Sequence, residues 1–207
     1  MVNKLFGKKL GMTRLFVGEG QSVGITVLKI GPCMVTQKKV VGKDGYNAIQ
    51  VGFEPKVERR VNKPLRGHFK AVEGRCFYHL REIRVDDPDA FEVGQELTTD
   101  IFQPGDLVTV AGVSKGRGFA GVTKRWGFGG GRETHGCRSH RVPGSIGCSA
   151  TPGRVHKGKK MPGRMGTQRT NIKNLTVVDV RPEMDVVLVK GAVPGSKNGV
   201  VEIVKVS

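Results

Sequence analysis

GVSKGRGFAGVTKRWGFGGGRETHGCRSHRVPGSIGCSATPGRVHKGKKMPGRMGTQRT, residues 112–170, divides the chain into two kinds of sequence. Its 59 residues hold thirteen Lys or Arg, fifteen Gly and a single acid, Glu133. The segment therefore carries a net charge of +12, out of +17 for all 207 residues. The other 148 residues, with 22 basic and 17 acidic side chains, are close to balance. A stretch so charged and so poor in large apolar side chains cannot bury enough surface to offset the entropy of ordering it. It needs a polyanion, and closely spaced phosphates are the obvious one.

Outward from this segment the chain reads as short strands. Leu107–Val113 enters it after the turn Pro104-Gly105-Asp106, and Leu175–Val180 follows it. Upstream, Ser22–Ile30 is rich in β-branched residues and stops at Gly31-Pro32. Met34–Val41 and Tyr46–Phe53 flank the turn signal Gly42-Lys43-Asp44-Gly45, and Phe77–Val85 is a further strand. Val186–Lys190 and Val200–Val206 close the chain. No long amphipathic helices alternate with these strands, which excludes a parallel βαβ sheet. The pattern predicts a mainly β fold, a small closed antiparallel barrel. A short helix is expected within Asn62–Val72, with Pro64 in its first turn, as part of an excursion inserted at about 62–90. The barrel domain then comprises 1–111 and 171–207. Residues 112–170 form a long irregular basic extension, anchored at both ends and functional rather than connective.

Composition narrows the function classes. No run of 18 apolar residues is present, so no membrane-spanning helix is expected. The N-terminal residues lack the apolar stretch and cleavage site of a signal peptide, which reads as a cytoplasmic protein. Cys33, Cys76, Cys137 and Cys148 form no CxxC pair and are expected to be free thiols. A pI near 10.1 with sharply localised charge points to nucleic acid. A membrane surface fits less well, because no basic amphipathic helix is visible.

Several motifs look chemical and fail on context. Gly116–Gly121 is a literal GxGxxG after a strand, but Val122–Trp126 leads into a glycine run and is not expected to be the helix a dinucleotide site requires. The glycines are read instead as allowing close backbone packing. Gly153–Lys159 has the spacing GxxxxGK, but Lys160 stands where a magnesium-binding Ser or Thr belongs. His135, Cys137, His140 and Cys148 do not have a structural zinc spacing, and no metal is expected. The two histidines are read as hydrogen-bond donors or base-stacking groups, or as solvated loop residues. One carboxylate rules out paired acid–base catalysis in the segment, and no GxSxG elbow occurs anywhere. Trp126, the only Trp, is expected to stack on or wedge into RNA rather than anchor local packing. Arg141–Gly147 is a stiff turn with one buried-type residue, Ile146. No helix-turn-helix, zinc finger or basic zipper can be drawn, and a glycine-rich arm suits folded RNA with crevices and unstacked bases.

Longer motifs carry a resemblance. Lys8-Lys9-Leu10-Gly11-Met12-Thr13-Arg14-Leu15-Phe16, Ser114–Trp126, Ser139–Gly147, Thr151–Val155, Lys157–Met161 and Val189–Gly195 together resemble the large-subunit ribosomal protein L-three family of bacterial type, in order along the whole chain. The resemblance implies a six-stranded barrel shared with translation factors. It implies direct binding to large-subunit ribosomal RNA early in assembly, and an arm whose tip approaches the peptidyl transferase centre. On that template the tip is Gly147, Cys148, Ser149, Ala150 and Thr151. Many bacterial relatives carry a glutamine that can be methylated where Ala150 stands, and Ala150 has no amide to modify. The implied partners are ribosomal RNA and neighbouring large-subunit proteins, the fourteenth and nineteenth of that series. No membrane, cofactor or small-molecule substrate is implied, and the role is structural rather than enzymatic.

The candidate RNA contacts are Lys8, Lys9 and Arg14 near the N-terminus and Lys115, Arg117, Lys124, Arg125 and Trp126 at the start of the segment. Arg132, His135, Arg138, His140 and Arg141 occupy its middle, and Arg154, Lys157, Lys159, Lys160, Arg164 and Arg169 its return. Two other classes stand beside this reading. An RNA-modifying enzyme needs a cofactor pocket, which no motif supplies. A transient RNA-binding factor differs in being substoichiometric and released by moderate salt.

Overall fold

The computed structural model describes residues 2–17 and 20–206. In chain order the strands are β1 (Lys4–Val17), β2 (Gln21–Ile30), β3 (Cys33–Lys39), β4 (Ala48–Lys56), β5 (Cys76–Arg84), β6 (Glu96–Leu97), β7 (Leu107–Val113), β8 (Gly118–Ala120), β9 (Gly163–Met165), β10 (Arg169–Arg181), β11 (Val186–Lys190) and β12 (Val200–Lys205). The helices are α1 (Val41–Asp44), α2 (Lys63–His68) and α3 (Val122–Trp126).

Six strands pair in a closed circuit, β1-β12-β7-β10-β11-β2 and back to β1. Every pairing is antiparallel. A closed circuit leaves no ladder edge open to solvent or to another chain. β11 shows why its sequence, Val186-Val187-Leu188-Val189, is continuously apolar. Val187 and Val189 enter the main core with Leu28, Val108, Val110 and Ile203. Val186 and Leu188 join Ile25 in a second cluster on the opposite face. Both faces are covered, so alternation disappears.

The remaining larger strands form a four-stranded sheet in the order β5-β4-β3-β6. Its Cys33, Val35, Ile49, Val51 and Ile83 belong to the same core cluster as the ring. The excursion is therefore larger than the expected 62–90, because β3 and β4 leave the ring as well. A hairpin motif specifies its own two strands, but not which sheet they join. The expected helix is present: Asn62 caps α2 by accepting from the Leu65 N–H at 3.2 Å, with Pro64 in the first turn. The turn at Gly42–Gly45 overlaps the single helical turn α1, closed by Gly45 in the left-handed conformation.

β1 takes a place in the ring that sequence patterning did not assign to a strand. It carries four cations and two glycines, and its register slips between Lys9 and Gly11. The bulge breaks the period on which strand recognition depends. Gly7 is required here, since a Cβ would run into the Lys29 carbonyl of β2.

Two compact units divide the chain at Val113/Ser114 and at Gln168/Arg169. The second unit is two residues shorter at each end than the charge boundary, because Gly112 and Val113 of β7 pair with Thr170 and Arg169 of β10 in the ring.

Candidate nucleic-acid interface

The unit Ser114–Gln168 has almost no interior. Among its residues only Ala120 and Val122 are buried, and none from 127 to 160 is. Its order comes from a small root. β8 and β9 pair antiparallel, Gly118 opposite Met165 and Ala120 opposite Gly163. Ser114 and Gln168 join below them, with a Ser114 N–H to Gln168 carbonyl distance of 2.9 Å.

Val122–Trp126 is a helix, contrary to the sequence expectation. The Arg125 N–H bonds the Gly121 carbonyl at 2.9 Å, and Gly127 closes the helix in the left-handed conformation. Five residues with three cations or aromatics are too short for periodicity to reveal. β8, which leads into this helix, pairs with the antiparallel β9, whereas a dinucleotide site opens its helix from a parallel sheet.

Trp126 has a local task. Its indole Nε1–H donates to the Met161 carbonyl at 2.9 Å, and the Arg125 guanidinium donates to the same oxygen at 2.9 Å. Arg125 lies 5.0 Å and the Lys160 ammonium 5.6 Å from the ring centroid. These contacts tie the two ends of the segment together at 125–126 and 160–161. They are the packing anchor that the sequence reading ranked below RNA stacking.

Beyond the root, backbone does the holding. Gly131 donates to the His140 carbonyl at 3.1 Å, and a Cβ at Gly131 would meet the Ser139 carbonyl. His140 Nδ1 lies 2.8 Å from the Arg132 carbonyl, which leaves its other ring nitrogen outward. Ile146 is 44% exposed, so it is not the buried residue its type suggested. At the expected tip, Gly147, Cys148 and Ser149 face Gly153, Arg154 and Val155 across an open cleft of about 240 Å³. Cys148 is an exposed free thiol and Cys137 a half-buried one.

The cations separate into two populations. Lys115, Arg117, Lys124, Arg125, Arg132, Arg138, Arg141, Arg154, Lys157, Lys159, Lys160 and Arg164 make no ion pair with a carboxylate among the described residues, and Glu133 takes part in none. Three of the other candidates are occupied inside the ring-and-sheet unit. Lys8 pairs with Glu54, and Lys9 donates to the Val193 carbonyl at 2.6 Å. Arg169 meets Glu202 at 2.5 Å. Arg14 is exposed on β1. No signal in a single chain distinguishes a cation with an acidic neighbour from one without, because those neighbours are distant in sequence. His135 is exposed, in the left-handed conformation, and among the described residues no three His, Cys, Asp or Glu side chains gather as a metal set.

Residues 84–183 match the family model described as Ribosomal protein L3. The chain is 53% identical over 205 residues to a protein of Desulforapulum autotrophicum named large ribosomal subunit protein uL3, with 99% of each chain covered. A protein of the same name from Desulfotalea psychrophila is 56% identical over 200 residues, covering 96% of each chain. One from Thermotoga petrophila is 53% identical over 199 residues, covering 96% of this chain and 95% of its own. At that identity, over nearly the whole of each relative, the chain belongs to the ribosomal protein L3 family, bacterial type.

Proposed function

We propose that this protein is a structural constituent of the large ribosomal subunit that binds large-subunit ribosomal RNA directly. The observation that carries the proposal is the unit Ser114–Gln168: twelve cations, no ion pair among the described residues and two buried side chains. Phosphates are the counter-ions such a surface lacks. On this reading the closed six-strand circuit is a small barrel of the translation-protein type, supported by its unbroken pairings and enclosed core. It sits on the subunit surface in the cytoplasm while residues 112–170 penetrate the RNA. The segment around Gly147–Thr151 extends toward the peptidyl transferase centre, and the protein joins early in assembly beside the fourteenth and nineteenth large-subunit proteins. The protein positions RNA and catalyses nothing.

The test is sedimentation of a lysate followed by a high-salt wash of the large-subunit fraction. Stoichiometric, wash-resistant co-migration is expected. Recovery at the top of the gradient, or release at moderate salt, would replace this reading with that of a transient factor. Paired reversal Lys157→Glu with Lys159→Glu then addresses the segment alone. It spares Lys160, which lies over Trp126, and is expected to impair subunit assembly with the ring still folded.

A further inference from the structure

We infer that a cleft on the ring-and-sheet unit holds a backbone phosphodiester of the RNA, gripped by Lys4, Arg81 and Arg169. The inference rests on the RNA-binding reading above and adds a contact on folded strands to those of the extension. The cleft has a volume of about 340 Å³ and is lined by residues of β1, β5, β7, β10 and β12. Small residues, Ala111 and Gly112 among them, leave room at its wall.

The charges in the cleft do not balance. Lys4 and Arg169 share one carboxylate, that of Glu202, whose side chain is only 12% exposed. The second acid, Glu82, is already engaged: the Tyr46 hydroxyl donates to it at 2.7 Å and the Lys39 ammonium lies at 3.4 Å. Arg81 is exposed and has no ion-pair partner among the described residues. The excess registers on Lys4, whose pKa is lowered first by burial and then by repulsion from Arg169 and Arg81. An anion between the three side chains relieves that repulsion. A phosphodiester offers two acceptor oxygens and one charge, which suits guanidinium forks.

Chain connectivity favours RNA over free phosphate as the source. Val113 and Arg169 line the cleft, and they are the residues at which the chain leaves for the cation-rich unit and returns. RNA held by that unit is tethered to the cleft and binds there as an intramolecular step. Sequence reading singled out neither Lys4 nor Arg81, because the cleft they line is assembled from strands far apart in sequence.

The experiment measures binding of the full chain to deproteinised large-subunit ribosomal RNA across a salt series. Arg81→Glu is compared with Lys70→Glu, an equal charge reversal at an exposed residue outside the cleft. Thermal unfolding of both variants checks that they fold as the parent does. Arg81→Glu is expected to reduce the log–log salt slope by about 0.7–0.9 and to weaken binding roughly tenfold at 0.1 M salt, with a much smaller effect from Lys70→Glu. RNA is also expected to protect Lys4 from an amine-acylating reagent. Equal losses in the two variants would overturn the cleft while leaving the RNA-binding reading standing. Absence of RNA binding by the parent protein would overturn that reading, and the cleft with it. Protection of Lys4 by 10 mM inorganic phosphate to the same degree as by RNA would mark a free-anion site and remove RNA as its ligand.

Discussion

Arg169 and Arg164 are five residues apart and exposed alike, yet they belong to different electrostatic worlds. Arg169 opens β10 and bonds Glu202 at 2.5 Å. Arg164 sits in β9 and makes no ion pair among the described residues. The contrast extends to the units that contain them. In the ring and sheet, Lys4, Lys8, Lys39, Arg75 and Lys205 each have a carboxylate, and a continuous apolar core carries the stability. In Ser114–Gln168 only Ala120 and Val122 are buried, and no cation pairs with a carboxylate among the described residues. One unit completes its interactions internally, and the other leaves its cations unmatched by carboxylates among the described residues.

The sharpest way to separate the two regions is thiol chemistry. Cys33 is buried in the ring-and-sheet core, where its thiol donates to the Phe6 carbonyl, and burial pushes its pKa up to about 11. Alkylation of the native protein at pH 7.5 is expected at Cys148 at least about a hundredfold faster than at Cys33, since the thiolate is the reacting species. Peptide mapping after brief labelling reads the ratio, and comparable rates would mean that the core is not closed.

Side-chain truncation comes next. Leu28→Ala removes a fully buried side chain from the ring and is expected to cost about 2–5 kcal/mol of unfolding free energy in denaturant titration. Ile146→Ala, in the extension, is expected to change it by less than about 0.5 kcal/mol. A large loss from Ile146→Ala would show that the extension contributes to the fold it is attached to.

Limited proteolysis divides the extension itself. Cuts are expected within 127–160, where no side chain is buried, and not within 114–126 or 161–168. Trp126→Phe, which deletes the N–H that reaches Met161, is expected to spread cleavage into the root. An unchanged pattern would return Trp126 to a role against RNA alone.

The smallest effect concerns pH. The Lys205 side chain lowers the pKa of Asp106, and the Gln103 N–H adds to it by donating at 2.8 Å. A carboxyl whose folded pKa is depressed stabilises above its unfolded value of about 3.9 and loses that contribution as pH falls through the folded value. Asp106→Asn is therefore expected to be slightly less stable than the parent at pH 7, with the difference fading below about pH 4. A gap that persists in acid would show that the aspartate acts through packing instead.

How much was legible depended on how local the signal was. β7, entered through Pro104-Gly105-Asp106, and β11, with its unbroken valine-leucine run, have the residue bounds that strand patterning gives them. The Asn62 cap and Pro64 announced α2. β1 was not legible, because two glycines, four cations and a bulge blur its period. α3 was not legible because five residues cannot show one. At the candidate interface the cations could be named in sequence, but not sorted: Lys8 and Lys9 look like Lys159 and Lys160 until Glu54 and the Val193 carbonyl are seen beside them.

Composition by itself fixed the division of labour. A stretch with twelve cations, one acid and almost no apolar bulk has no core available to it, and this holds for any arrangement of the chain. Tertiary structure alone decided which strands share a sheet, which cations find a carboxylate, and that Lys4 and Arg169 share the half-buried Glu202 in a cleft that Arg81 also lines. Those outcomes depend on contacts between residues far apart in sequence, and pairing across such distances is set by how elements pack rather than by what each contains.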